Sequence, residues 1–114
     1  MRNSIEVVEG FFKAINTGDF NLAKSYMADT HEYNGPMFST NNPDAYFEKL
    51  MAFDMEFAVE TQDMIVAEDA VTHLATLKVL GAQVSIPTCE VFKIKEGKIV
   101  AQSFYFDTAL FPQS

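Results

Sequence analysis

Tryptophan is absent from these 114 residues and cysteine occurs once. A lone thiol, Cys89, excludes an intramolecular disulfide and a multi-cysteine zinc site. With only two histidines, any metal site would have to draw on Asp and Glu. Positive charge is scarce as well: eight Lys and Arg stand against sixteen Asp and Glu, a net charge of −8 with no basic stripe. Such a surface repels phosphate backbones and anionic membranes, so neither nucleic acid nor a membrane is an expected partner. No stretch approaches the ~18 apolar residues of a membrane span. The start, MRNSIEVVEG, lacks the apolar core of a signal peptide, so a cytoplasmic location is expected. No internal repeat or low-complexity run is present, and no motif calls for a cofactor.

What the chain does have is apolar material, 48% hydrophobic residues with 11 phenylalanines. That is enough for one core-forming domain over residues 1–114. In NSIEVVEGFFKAINTGD, Asn3 and Glu6 have the spacing of a capping box. Val7, Val8, Phe11, Phe12 and Ile15 recur at helical intervals, and Gly18 supplies a stop. Asp19 caps a second predicted helix whose stripe runs from Phe20 through Tyr26 and Met27. HEYNGPMF reads as a short strand ended by Gly35-Pro36. Asn42-Pro43 then opens a third helix carrying Tyr46, Phe47, Leu50 and Met51. Four extended segments follow, near 55–66, 71–80, 84–94 and 98–106. The expected class is α+β, three N-terminal helices on a curved antiparallel sheet shaped like a cone.

Two turns set which side chains face inward. Gly81-Ala82 suits a two-residue type II′ turn, which pairs Leu77 with Ile86, Ala75 with Thr88 and His73 with Glu90. At KIKEGKI, a two-residue type I′ turn would force Glu96 to positive φ. A three-residue loop with Gly97 at a G1 bulge is therefore expected, pairing Ile94 with Lys98, Phe92 with Val100 and Glu90 with Gln102. Val100, Gln102, Phe104 and Phe106 then share the inner face with Glu90, while Ala101, Ser103, Tyr105 and Asp107 lie outside. His73, Glu90 and Gln102 form a polar row on an otherwise apolar surface. Opposed Cβ atoms ~4.5–5.5 Å apart would let His73 and Glu90 share a hydrogen bond and titrate together. Pro87 threatens this register, because proline inside a strand usually marks an edge or a bulge.

The helix order, together with VVEGFFKAINTGDF, NGP and EVFKIKEGKIVAQSFYFD, resembles the nuclear-transport-factor-2-like superfamily over nearly the whole chain. Its SnoaL-like and ketosteroid-isomerase-like members are most similar. The resemblance implies a cavity between the helices and a concave sheet, commonly in a dimer. Against ketosteroid isomerase, Glu90 falls where that enzyme keeps a protonated carboxylic acid, Phe11 where it has a tyrosine, and Asn34 or Gly35 where it has its base. Against limonene epoxide hydrolase, Asn34 matches the water-holding asparagine. His73, Ala75 and Phe104 stand in that enzyme's arginine and aspartate positions. The scaffold hosts many activities, so it implies a pocket rather than one reaction.

The candidate catalytic set is Glu90 as acid or base, His73 sharing or tuning its proton, and Asn34 with Gln102 orienting a substrate oxygen or water. Phe11, Ile15 and Tyr26 from the helices are expected to line the pocket, or simply to form core. Ala75, Thr88, Phe92, Phe104 and Phe106 would supply the sheet wall. Met37, Met51, Met55 and Met64 could make a deformable rim. His31 and Glu32 are neighbours on one strand, so one of them must point outward. Leu74, Cys89, Val91 and Tyr105 make the outer sheet face too apolar to leave wet, which suggests a homodimer. The expected ligand is a compact, mostly apolar carbonyl or hydroxyl compound. Isomerisation, cyclisation or dehydration would be the chemistry, and simple binding or a protein-interaction role are the rivals.

Overall fold

A computed structural model describes residues 3–112. Helix α1 spans Ser4–Thr17; the Asn3–Glu6 capping box closes its start and Gly18, at φ 76°, its end. Its buried stripe is Val7, Val8, Phe11, Phe12 and Ala14. Asp19 caps α2, Phe20–Lys24, which is shorter than the apolar stripe predicted. Tyr26 lies past its end, and Met27 already belongs to strand β1, Met27–Asn34. Gly10 makes room for this: a Cβ there would collide with the Tyr26 ring. A two-residue strand β2, Ser39–Thr40, then precedes α3, Pro43–Met51, which has Asn42 as N-cap and proline in its first turn.

Strands β3 (Phe57–Val66), β4 (Ala70–Val79), β5 (Val84–Lys95) and β6 (Lys98–Phe106) complete a six-stranded sheet in the order β2-β1-β6-β5-β4-β3. The sheet is curved and unclosed, and the helices pack on its concave side. It is not wholly antiparallel as expected, because β1 joins the edge of β6 in parallel. Hairpin pairing between β4 and β5 follows the predicted alignment, with Leu77 opposite Ile86, Ala75 opposite Thr88 and His73 opposite Glu90. The turn itself differs. Leu80–Ala82 form a short 3-10 segment, and Gln83 rather than Gly81 takes the left-handed conformation, at φ 55°. A four-residue loop centred on the same point keeps the same register. Pro87 causes no slip: it pairs with Thr76, and β6 pairing begins only at Thr88, so one flank of the proline needs no donor.

The second turn departs from expectation in an instructive way. Glu96 at φ 54° and Gly97 at φ 74° make a two-residue connection of the type I′ class, with Lys95 opposite Lys98 and Ile94 opposite Ile99. A bulge follows at Val100, after which Lys93 opposes Ala101, Phe92 opposes Gln102 and Glu90 opposes Phe104. The pairing is thus two residues away from the one predicted, and an even slip leaves each later side chain on its predicted face. Ile99, fully buried, takes the inward place expected of the half-buried Val100.

Candidate functional site

The concave face encloses a cavity of about 750 Å³ whose lining includes Phe11, Ile15, Phe104, Phe106 and Glu90. Those five were expected there. Tyr33 from β1, Tyr46 from α3 and Phe111 near the C-terminus join them. Met37, Met51 and Met55 belong to the lining, whereas Met64 packs against the core. Ala75, Thr88 and Phe92 are inward and buried but sit in the packed layer outside the cavity lining. The Thr88 hydroxyl donates to the Ala75 carbonyl, which occupies it locally. Tyr26 also lies outside the lining.

Glu90 is 5% exposed, in a wall otherwise built largely from Phe, Met and Tyr. Burial pushes its carboxyl up to about 8, and the Gln102 amide pulls more weakly the other way. At neutral pH the acid is therefore mostly protonated. Gln102, completely buried, donates from Nε2 to Glu90 Oε2 at 2.9 Å. Although the strand pairing opposes Gln102 to Phe92, the diagonal offset still lets the amide reach the carboxyl. On its other side, Gln102 Oε1 lies 2.7 Å from His31 Nε2. His31 is fully buried while Glu32 is exposed, so the alternation along β1 puts His31 and Tyr33 inside.

Asn34 falls on the opposite phase of that strand and is exposed, which removes it from the site. The resemblance aligned the right segment, but side-chain alternation brings Tyr33 inward instead. Burial raises both phenols, Tyr33 and Tyr46, far above the ordinary tyrosine range, and the nearby Glu90 carboxylate adds to each effect. Their rings pack 4.9 Å apart, with Tyr46 edge-on to His31 at 5.7 Å. Sequence reasoning placed Tyr46 only on a helical stripe and left the facing of His31 open. The contact between α3 and β1 that unites them had no local signal.

His73 stands directly opposite Glu90, as predicted, yet the two do not share a hydrogen bond. Thr61, opposite Ala75, is the diagonal neighbour of His73 on the same face, and His73 Nε2 meets Thr61 Oγ1 at 2.8 Å. The imidazole also stacks on Phe12, with centroids 4.2 Å apart. Burial lowers its pKa to about 4, leaving a neutral ring outside the cavity lining. His73 is thus satisfied within the core, and the polar partner of Glu90 is Gln102. Among the described residues no group of three or more His, Cys, Asp or Glu could hold a metal ion, and no helix is long and apolar enough to cross a membrane.

Comparison with known proteins agrees with this geometry. The family model described as SnoaL-like domain matches residues 8–102. No curated protein matches the chain in sequence. Among solved structures, an NTF2-like protein of unknown function from Cytophaga hutchinsonii superposes with a TM-score of 0.85 at 21% identity, covering 96% of this chain and 94% of its own. A putative polyketide cyclase from Sinorhizobium meliloti gives 0.81 at 16% identity, over 88% and 94%. An LEH-like epoxide hydrolase from M. tuberculosis gives 0.80 at 23% identity, over 93% and 84%. At these identities the shared property is the fold.

Proposed function

This chain belongs to the SnoaL-like domain family, and we propose that it is a small-molecule enzyme carrying out proton transfer on a compact, uncharged, largely apolar carbonyl or hydroxyl compound. The observation that carries the proposal is the Glu90 carboxyl, raised to about 8 in the wall of an aromatic cavity of about 750 Å³. Burying a carboxyl in such surroundings costs stability, strongly shifted groups cluster at functional sites, and an acid with a pKa near the working pH both gives and takes protons. Tyr33 and Tyr46, kept protonated by burial, are hydrogen-bond donors for a substrate oxygen. Isomerisation, cyclisation and dehydration are all served by an acid–base group beside donors for a substrate oxygen.

The lining also supports the ligand's charge class. Among the described residues it contains Asp54, Glu56 and Glu90 but neither lysine nor arginine. A carboxylate or phosphate ligand would lose its hydration with no cation to replace it. Neutral ketones should therefore bind, and their carboxylate analogues should not.

The test is carbon-bound proton exchange in heavy water, followed by NMR for a panel of neutral cyclic ketones and hydroxy compounds. Wild-type protein should accelerate exchange at carbon next to the carbonyl, and Glu90→Gln should not. The second reading is a binding protein for an apolar metabolite, favoured by the apolar lining. It wins if the panel raises the melting temperature of wild type and Glu90→Gln alike while no exchange is seen. A homodimer through the outer sheet face is part of the proposal. Leu74, Cys89 and Tyr105 stand in register across three strands there, and Tyr105 is 59% exposed. Light scattering of Tyr105→Asp against wild type tests it: a dimeric wild type and a monomeric variant are expected.

A further inference from the structure

A glutamine amide offers a donor on one side and an acceptor on the other, and half a turn exchanges them. Turned one way, Gln102 makes Glu90 accept; turned the other, it makes Glu90 donate. What selects between the two lies beyond the glutamine. His31 Nε2 is 2.7 Å from Gln102 Oε1, and His31 and Gln102 both have 0% exposure. The other ring nitrogen, Nδ1, is buried without a hydrogen-bond partner. A proton on Nδ1 would be an orphaned buried donor, among the rarest and costliest states of a polar group in a core, whereas a bare Nδ1 leaves only an unused acceptor. The ring therefore carries its proton on Nε2 and donates to Gln102 Oε1. That leaves the Gln102 NH₂ group facing Glu90 Oε2.

We infer that His31 is a positioning residue: by donating to Gln102 it locks the amide so that Glu90 Oε2 accepts, and the acid proton is held on Oε1, the oxygen free to meet a ligand. The inference rests on the reading of Glu90 as the proton-transfer group. Among the described residues, no other titratable neighbour is restricted to one role toward Gln102 as an Nε2–H imidazole is. His73, across the strand pair, is turned to Thr61 and Phe12. Tyr33 approaches from β1 with a protonated phenol, and Tyr46, from α3, hydrogen-bonds Gln102, but a hydroxyl both donates and accepts and so fits either orientation of the amide. A bound ligand would thus present a hydrogen-bond acceptor, such as a ketone oxygen, to Oε1.

Two measurements test it. Nitrogen-15 NMR of histidine-labelled wild-type protein at neutral pH should show the Nε2–H tautomer for His31; the Nδ1–H tautomer would overturn the inference whatever happens to any variant. Carbon-13 NMR of glutamate carboxyls, assigned with Glu90→Gln, then follows the Glu90 titration in wild type, His31→Phe and His31→Gln. Removing the donor frees the amide to turn and accept from the protonated acid. His31→Phe should therefore titrate higher than wild type by at least about half a unit. His31→Gln restores an N–H but accepts as readily as it donates, so it does not lock the amide and should titrate between wild type and His31→Phe. A folded His31→Phe whose Glu90 titrates as in wild type overturns the inference. A wild-type Glu90 titrating like an ordinary surface carboxylate would sink the proton-transfer reading instead, and the tautomer result would still judge His31 separately.

Discussion

His73 and Glu90 occupy opposed positions on neighbouring strands, and both side chains leave the sheet on its concave face. They are nevertheless buried on opposite terms. His73 turns toward the edge strand, where Thr61 takes its Nε2 and Phe12 covers the ring. Glu90 turns toward the centre, where Gln102 takes one oxygen and the cavity meets the residue. Burial drives each toward its neutral form, so the base falls to about 4 and the acid rises to about 8. The histidine is finished as a structural group, while the acid keeps one oxygen uncommitted. Strand register brings two side chains near each other, but partners on either side decide which of them is left with chemistry to do.

The contrast is broken most forcefully at Glu90. Glu90→Gln should keep the fold and lower any carbon-proton exchange by about 10²–10⁴-fold, the usual worth of a general acid or base. The equivalent change at His73, to Gln, should leave exchange within a few-fold of wild type. Equal losses in the two variants, measured as kcat/KM on one ketone, would erase the distinction.

Next in size is the response of stability to pH, where the two groups act with opposite signs. Between the ordinary carboxylate value of 4.5 and about 8, the folded protein holds the Glu90 proton and the unfolded chain does not. Stability from this group is complete below 4.5 and is lost as pH rises to 8, on the order of 5 kcal/mol in all. For His73 the unfolded chain binds the proton between about 4 and 6.5 and the folded protein does not. Its contribution is therefore present above 6.5 and lost as pH falls. His31, also lowered by burial, adds to that acid-side loss. From 6.5 to 8 Glu90 acts without the histidines. Urea unfolding should show wild type losing stability across that interval and Glu90→Gln staying nearly flat.

A smaller effect sharpens the other half of the comparison. Thr61→Val removes the partner of His73 and should cost about 1 kcal/mol in urea unfolding, with ligand affinity unchanged. Smallest of all, Asn34→Ala should change stability by less than about 0.5 kcal/mol and leave proton exchange intact, as suits an exposed side chain. A large loss of exchange at Asn34 would restore it to the site and contradict the alternation along β1.

Much of this is legible in the sequence. The Asn3–Glu6 and Asn42-Pro43 signals place α1 and α3, and two glycine-bearing turns put Glu90, Gln102, Phe104 and Phe106 on one face. That face survived even though Glu96 accepted a positive φ, because the bulge at Val100 made the slip even. Alternation has period two, so it tolerates an error of two residues and no error of one. Tyr33, Tyr46 and His31 were not legible as a group. They come from β1 and α3, far in sequence from β5 and β6, and β1 reaches the site only through its parallel seam with β6.

Local chemistry along the chain determined where helices start, where hairpins turn and which side of the sheet each residue serves, because caps, proline and side-chain alternation act over a few residues. Tertiary packing alone decided who holds whom inside. Hydrogen-bond partnership is settled at distances near 3 Å, by the diagonal pairing of β3 with β4 that brings Thr61 to His73 and the seam that brings His31 to Gln102, and neither contact is encoded between neighbours in the chain.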